Sequence, residues 1–384
     1  MFDQEFFDAG LYRKGTNSIK WDMCQREHGP VLPMWVADMD FPSPPAVQAA
    51  LLERAAHPTY GYTEAGEGYT RALCGFWKRQ HGAEIDPESV VDLPCVVTGL
   101  KLAIQTFTQP GDGVIVQKPV YGPFLESVAV TGRREMDATL VPDAEGRYHM
   151  DLEKVETFCR EGAKLMMLCN PHNPVSRAWT RQELMDLVEI LNRYHVPLVS
   201  DEIHADFVYE PMEMITALNL PVERLMVLCA ASKTFNLAGL QMANAVCPDP
   251  EIRSMLKQRI NENGVVAGNI FGMLATQAAY DGGDAWLKGL KEYLMGNRDV
   301  LEKGVREIPG AAISPMEATY LGWLDLRAYG DTDTIMKKCE KAGVVFTGGT
   351  FFGREAGNGF VRVNYGTRRA HVVMTLERLR EALS

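Results

Sequence analysis

The 384-residue sequence has no excess of positive charge: 39 Lys and Arg stand against 50 Asp and Glu, a formal net charge of −11. Nucleic acid and anionic membrane surfaces both require clustered positive charge, so neither is expected as a partner. No apolar stretch approaches the length of a membrane span. The opening MFDQEFFDAG sets acidic side chains among aromatics, where a secretory leader would have a basic start and an apolar run. CxxC and other metal-ligand spacings are missing among the eight cysteines (24, 74, 95, 159, 169, 229, 247 and 339), so no metal is expected. Thiols scattered in this way suggest a reducing, cytoplasmic setting. Several close apolar runs, as in LMMLC ending at Cys169 and LMVLC ending at Cys229, where Cys acts as a small buried hydrophobe. Internal repeats and low-complexity linkers are also missing. A small-molecule substrate fits what is left.

With 46% hydrophobic residues the chain can bury a large core in two or three domains. Short apolar runs without polar alternation recur at Val114–Val116, Leu165–Cys169, Leu198–Val199, Leu225–Cys229 and Ala243–Cys247. Such runs read as strands buried on both faces, as in a parallel sheet covered by helices. Between them, Thr180 to Tyr194 reads as a helix, with Thr180 and Glu183 forming a capping box and Leu184, Leu187, Val188 and Leu191 an apolar stripe. Strands alternating with helices predict an α/β layer architecture whose ligands gather at the carboxyl ends of the strands. After about residue 280 the texture changes to a long helix over Asp284 to Glu307 and short strands at Thr319 to Leu324 and Phe360 to Asn364, a smaller α+β domain. The expected division is 1–44 as an N-terminal segment packing on the small domain, 45–280 as the large domain and 281–384 as the small one.

Four polar segments follow the apolar runs: VYGPF around Tyr121, NPHNPVSR from Asn170, SDEIH from Ser200 and ASKTFNLAGL from Ala231. Each residue has a plain structural reading by itself: Tyr121 and Asn173 as turn residues beside prolines, Asp201 as a cap, Lys233 as an exposed lysine. Together they supply an aromatic face, a donor for a ring oxygen, a carboxylate for a ring nitrogen and an amine for an aldehyde, the set that a pyridoxal 5'-phosphate (PLP) site needs.

The chain resembles the fold-type I PLP enzymes, and within them the cystathionine β-lyase or carbon–sulfur lyase (MalY/PatB) branch of the aminotransferase class I/II superfamily. RKGTNSIKWD, WVADMDFPSPP, PVYGPF, CNPHNPV, SDEIH, SKTFNLAGL and VRVNYG carry the resemblance over essentially the whole chain. It implies that Lys233 binds the cofactor covalently, that Asp201 partners the pyridinium nitrogen, that Asn173 bonds the ring oxygen and that Tyr121 stacks on the ring. Val96, Val97 and Ser232 are expected at the phosphate, and Arg362 at the substrate carboxylate. Tyr62 is expected to reach the cofactor phosphate of a neighbouring subunit, which makes the protein a homodimer with shared sites.

The sequence departs from the family pattern at Cys95, where LPCVV replaces TPGVV, at Ala231 for proline and at Ser176 for glycine. His204 stands where aminotransferases of this fold carry a tyrosine, which favours the lyase branch. The resemblance therefore implies α,β-elimination from cystathionine, cysteine or another S-substituted cysteine to thiol, pyruvate and ammonia. Lys233 would serve as the base at Cα. An aminotransferase and a PLP-bound regulatory binding protein are the competing readings.

Overall fold

The computed structural model describes residues 2–9, 11, 13–266 and 268–384. Its main layer is a seven-stranded sheet of β1 (Val90–Leu93), β2 (Gly113–Val116), β3 (Arg134–Asp137), β4 (Leu165–Cys169), β5 (Leu198–Asp201), β6 (Leu225–Cys229) and β7 (Ala243–Val246), in the order β1-β7-β6-β5-β4-β2-β3. Successive residues of one strand enter different clusters: Met166 and Leu168 of β4 join one core, while Leu165, Met167 and Cys169 join the other. In β6, Val227 and Met226 divide in the same way. A strand buried on both faces has no polar side to display, which is why these runs show no alternation.

The layer differs from the sequence expectation at its margins. β7, one of the five apolar runs, is antiparallel to both β1 and β6. The strands β1 and β3 were not anticipated; β3 is REMD, and an edge strand can be that polar. The helix Arg181–Arg193 has the expected capping box on Thr180 and Glu183 and buries Leu184, Leu187, Val188 and Leu191. Each such side chain contributes about 1.5–3 kcal/mol of burial, so the stripe rather than helix propensity holds this element.

The second sheet contains β8 (Ala312–Ile313), β9 (Leu321–Asp325), β10 (Thr347–Gly348) and β11 (Phe360–Asn364), antiparallel throughout, in the order β8-β9-β11-β10. Its interior strand β11 aligns Arg362 with Trp323 on one side and Thr347 on the other. The helix Asp284–Arg306 joins the two parts. At the amino end, Leu32–Pro33 pairs in parallel with Val344–Val345, and Phe7 packs on Trp286, Tyr293 and Phe41. No helix among the described residues is long and apolar enough to cross a membrane.

Candidate active site

Five chain segments deliver side chains to the carboxyl ends of the parallel strands. Asp201 ends β5, Asn173 lies four residues beyond β4, Lys233 follows β6, and Tyr121 follows β2. The helix Val96–Phe107 starts three residues after β1. These residues line one cavity of about 430 Å³, together with His204, Ser232, Val96, Val97 and Arg362. That volume lies in the range of small-ligand sites.

Lys233 sits on a helix of four residues, Ala231–Thr234, and its Nζ donates to the Ala37 carbonyl at 2.6 Å. Burial pushes the amine down to about 8; the nearby Arg362 cation adds to this, and the Asp38 and Asp201 carboxylates oppose it. Asp201 is buried and accepts from the Ile203 amide at 3.1 Å. Burial lifts its carboxyl to about 7, with Glu202 pushing the same way. His204 is buried with Nδ1 unpartnered among the described residues, and burial and then the Lys233 and Arg362 cations hold its pKa well below the usual range, so it is neutral.

Arg362 is the cation from the second sheet. It donates from Nη1 to Asn173 Oδ1 at 3.2 Å and from Nη2 to the Trp35 carbonyl at 2.8 Å, while Nε is buried without a partner among the described residues. Its guanidinium lies 4.9 Å from the centre of the Phe352 ring, and burial brings its pKa to about 10, still charged at neutral pH. Among the described residues, the Asn173 amide nitrogen has no acceptor. The Tyr121 ring lies 6.1 Å from that of Phe351, and both line the cavity.

The helix Val96–Phe107 begins without a side-chain cap, because Cys95 occupies that position with its Sγ 3.3 Å from the Thr98 hydroxyl. Its first amides are left for an anion. Ser176, the residue replacing glycine, has φ of 58°, and its hydroxyl bonds the Leu321 carbonyl across to the second sheet, with Thr319 Oγ1 at 3.3 Å. Arg177 beside it is buried and paired with Glu317 and Glu183.

Tyr62 is not brought to this cavity within its own chain: it is fully exposed, in the irregular stretch between the helices Pro45–Ala56 and Glu67–His81. Sequence reasoning also overlooked much of the wall. Trp35, Val36, Ala37, Gln241, Thr347 and Phe351 line the cavity. For the first three, the WVADMDF motif was visible, but their contribution is largely backbone carbonyl, on which side-chain chemistry carries no mark. Asp38 adds a carboxylate that faces Lys233 and Tyr320.

Among the described residues, the group fits an anionic, aromatic aldehyde: a lone amine of lowered pKa, a buried carboxyl with a single hydrogen bond, uncapped amides at a helix start, and the buried His204 Nδ1 and Arg362 Nε without partners. The sequence profile of the aminotransferase class I and II family matches residues 31–379. The chain is 39% identical to cystathionine beta-lyase PatB of Bacillus subtilis over 98% of this chain and 100% of that protein. Its fold superposes on cystalysin from Treponema denticola, which contains a pyridoxal 5'-phosphate cofactor, with a TM-score of 0.93 at 30% identity, covering 98% of both chains. A PLP-bound C-S lyase from Staphylococcus hominis matches with a TM-score of 0.89 at 29% identity, covering 98% of this chain and 97% of that one.

Proposed function

The chain belongs to the aminotransferase class I and II family, and on that premise we propose that it is a PLP-dependent carbon–sulfur β-lyase. It cleaves cystathionine, cysteine or other S-substituted cysteines to thiol, pyruvate and ammonia. The observation that carries this reading is the meeting of Lys233, Asp201 and Arg362 in one cavity, with the lysine amine held at about 8.

Bound PLP supplies an electron sink that makes the Cα proton of an amino acid removable. Lys233 would hold it covalently, Asp201 would pair with its ring nitrogen, and Tyr121 would cover its face. The Asn173 amide would bond its ring oxygen, and the amides of Val96 and Val97 with the Ser232 hydroxyl would hold its phosphate. A cation beside Asp201 reverses the effect of burial and keeps the carboxylate charged. His204, neutral, adds no charge that would compete with that pair.

Arg362 binds the substrate carboxylate and orients Cα, using donors that are already desolvated and need little reorganisation. Once the substrate amine has displaced it, Lys233, neutral in part near pH 8, would accept the Cα proton at Nζ, and the thiolate would leave from Cβ. The walls contributed by Tyr121 and Phe351 are aromatic, suited to a thioether or thiol side chain.

The test is incubation of purified protein with cystathionine and no keto acid. Sustained release of thiol and pyruvate is expected. A single half-turnover would identify an aminotransferase, and PLP binding without turnover a regulatory protein.

The same reading makes the active unit a cytoplasmic homodimer with shared sites. Tyr62 stands in full solvent exposure beside the exposed Tyr60, as a side chain waiting for a second subunit would, and its hydroxyl suits the partner's cofactor phosphate. The eight free cysteines agree with a reducing compartment. The division into 1–44, 45–280 and 281–384 is supported by the pairing of Leu32–Pro33 with Val344–Val345 and by the change from a mainly parallel sheet to an antiparallel one.

A further inference from the structure

Behind the cavity lies a chain of buried polar side chains that binding the cofactor does not require. Asp206 is five residues past Asp201, on the turn that also carries His204. Its Oδ1 lies 2.8 Å from His81 Nε2, and its Oδ2 accepts from the Thr234 hydroxyl at 2.5 Å. His81 ends the helix Glu67–His81; its ring is almost wholly buried, and its Nδ1 has no partner among the described residues. Lys291, Cys229 and Tyr280 face the same carboxylate. An apolar residue could fill this space at no desolvation cost, so a buried carboxylate here needs a reason in what it holds.

What it holds is the neighbour of Lys233. The helix Ala231–Thr234 is a single turn, and its leading residue Ala230 makes no side-chain cap. A turn of that length has no stability of its own. Phe235 packs beside it on Phe76, Tyr280 and Trp286, which supplies contact area but little direction. Among the described residues, the Thr234–Asp206 bond is the turn's one side-chain hydrogen bond apart from that of Lys233 itself. It ties the turn carrying the lysine to the turn that carries His204 and follows the strand ending in Asp201.

We propose that Asp206, oriented by His81, is a positioning residue for Lys233: through Thr234 it fixes where the amine stands relative to Asp201. This rests on Lys233 being the amine that holds the cofactor, and the closing experiment separates the two. Holoenzymes of wild type, Thr234→Val, Thr234→Ser and Asp206→Asn are compared for kcat and KM on an S-substituted cysteine. The rate at which hydroxylamine strips the visible cofactor band is measured alongside. Thr234→Val keeps size and loses the hydroxyl. It is expected to lower kcat about tenfold with KM within about twofold, and to speed stripping about tenfold, the scale on which small misplacements act. Thr234→Ser is expected to stay near wild type, with Asp206→Asn between them. Wild-type kcat and stripping in Thr234→Val overturn the proposal, as does a serine variant as impaired as the valine one, which would mean that packing alone is at stake. If Thr234→Val does not fold, the same two measurements on Asp206→Asn and His81→Gln decide, and wild-type values there overturn it. A wild-type protein with no visible band at all would instead sink the assignment of Lys233.

Discussion

Lys233 and Asp201 pull the stability of the cofactor-free protein in opposite directions along the pH axis. A carboxyl raised from 3.8 to about 7 keeps its proton in the folded chain after the unfolded chain has lost its own, so stability falls as pH rises between those values. An amine lowered from 10.5 to about 8 sheds its proton first in the folded chain, so stability returns as pH rises from about 8 toward 10.5. Urea midpoints of cofactor-free wild type should therefore drop between about pH 4.5 and 7 more steeply than those of Asp201→Asn. Parallel curves for the two would remove Asp201 from the account. Arg362 is expected to behave differently, since its partners are the Asn173 side chain, the Trp35 carbonyl and the Thr347 hydroxyl. Arg362→Ala should weaken substrate binding by about 2–5 kcal/mol, the cost of a buried charge left unpaired, and PLP binding far less. Titrating both ligands against the variant checks this, and equal losses would mean that its role is misassigned. Lys233 and Asp201 could be read from the sequence because their segments follow apolar runs, whereas Arg362, inside the strand Phe360–Asn364, was carried by resemblance. Asp206 and His81 could not, being 125 residues apart and joined only by the fold.

At the scale of elements, the start of the helix Val96–Phe107 offers a clean test, because proline is tolerated at the first helical position and removes one amide donor. Cys95 already has the extended backbone, φ −162° and ψ 162°, that a residue before proline prefers. Val96→Pro should leave helix content unchanged by circular dichroism and raise the Kd for PLP about tenfold or more, the worth of a hydrogen bond to a charged group. An unchanged Kd would show that this amide does not face the phosphate. The interior strands of the main sheet could be recognised because burial on both faces writes a continuous apolar run. The edge strand REMD wrote none, and the reversed direction of Ala243–Val246 leaves no trace in composition, since direction is set by the connection between strands. The helix Arg181–Arg193 was legible to within a residue because its stripe and its cap agree.

For the whole molecule, the site is assembled from distant parts of the chain: Trp35 and Ala37 near the start, Arg362 near the end, and Asp201 and Lys233 between. On the proposed shared-site reading, the exposed Tyr62 would extend that assembly to a second copy. Hybrids of wild-type chains with Tyr62→Phe, Lys233→Ala chains should fall below the activity of one wild-type site, because the one intact lysine faces the altered tyrosine. Full activity of that half would end the shared-site reading. The sequence carried Tyr62 only by resemblance, and nothing in its Gly-rich surroundings specifies a partner.

Every carbonyl from Trp35 to Met39 accepts a side-chain donor: Arg362 and Thr347 at Trp35, Asn364 at Val36, Lys233 and Tyr320 at Ala37, Lys20 and Asn364 at Asp38, Arg13 and Asn236 at Met39. The five peptide groups thus act as a template that the ribosome supplies whatever side chains are coded there. Conventional mutagenesis is blind to such a feature, and a scan through Val36 and Ala37 would report tolerance where the molecule has almost none. Only an edit of the main chain itself can reach it. Replacing Asp38 by its α-hydroxy acid through semisynthesis turns the Ala37 amide into an ester, whose weaker oxygen loosens Lys233 and Tyr320 while leaving every side chain as it was.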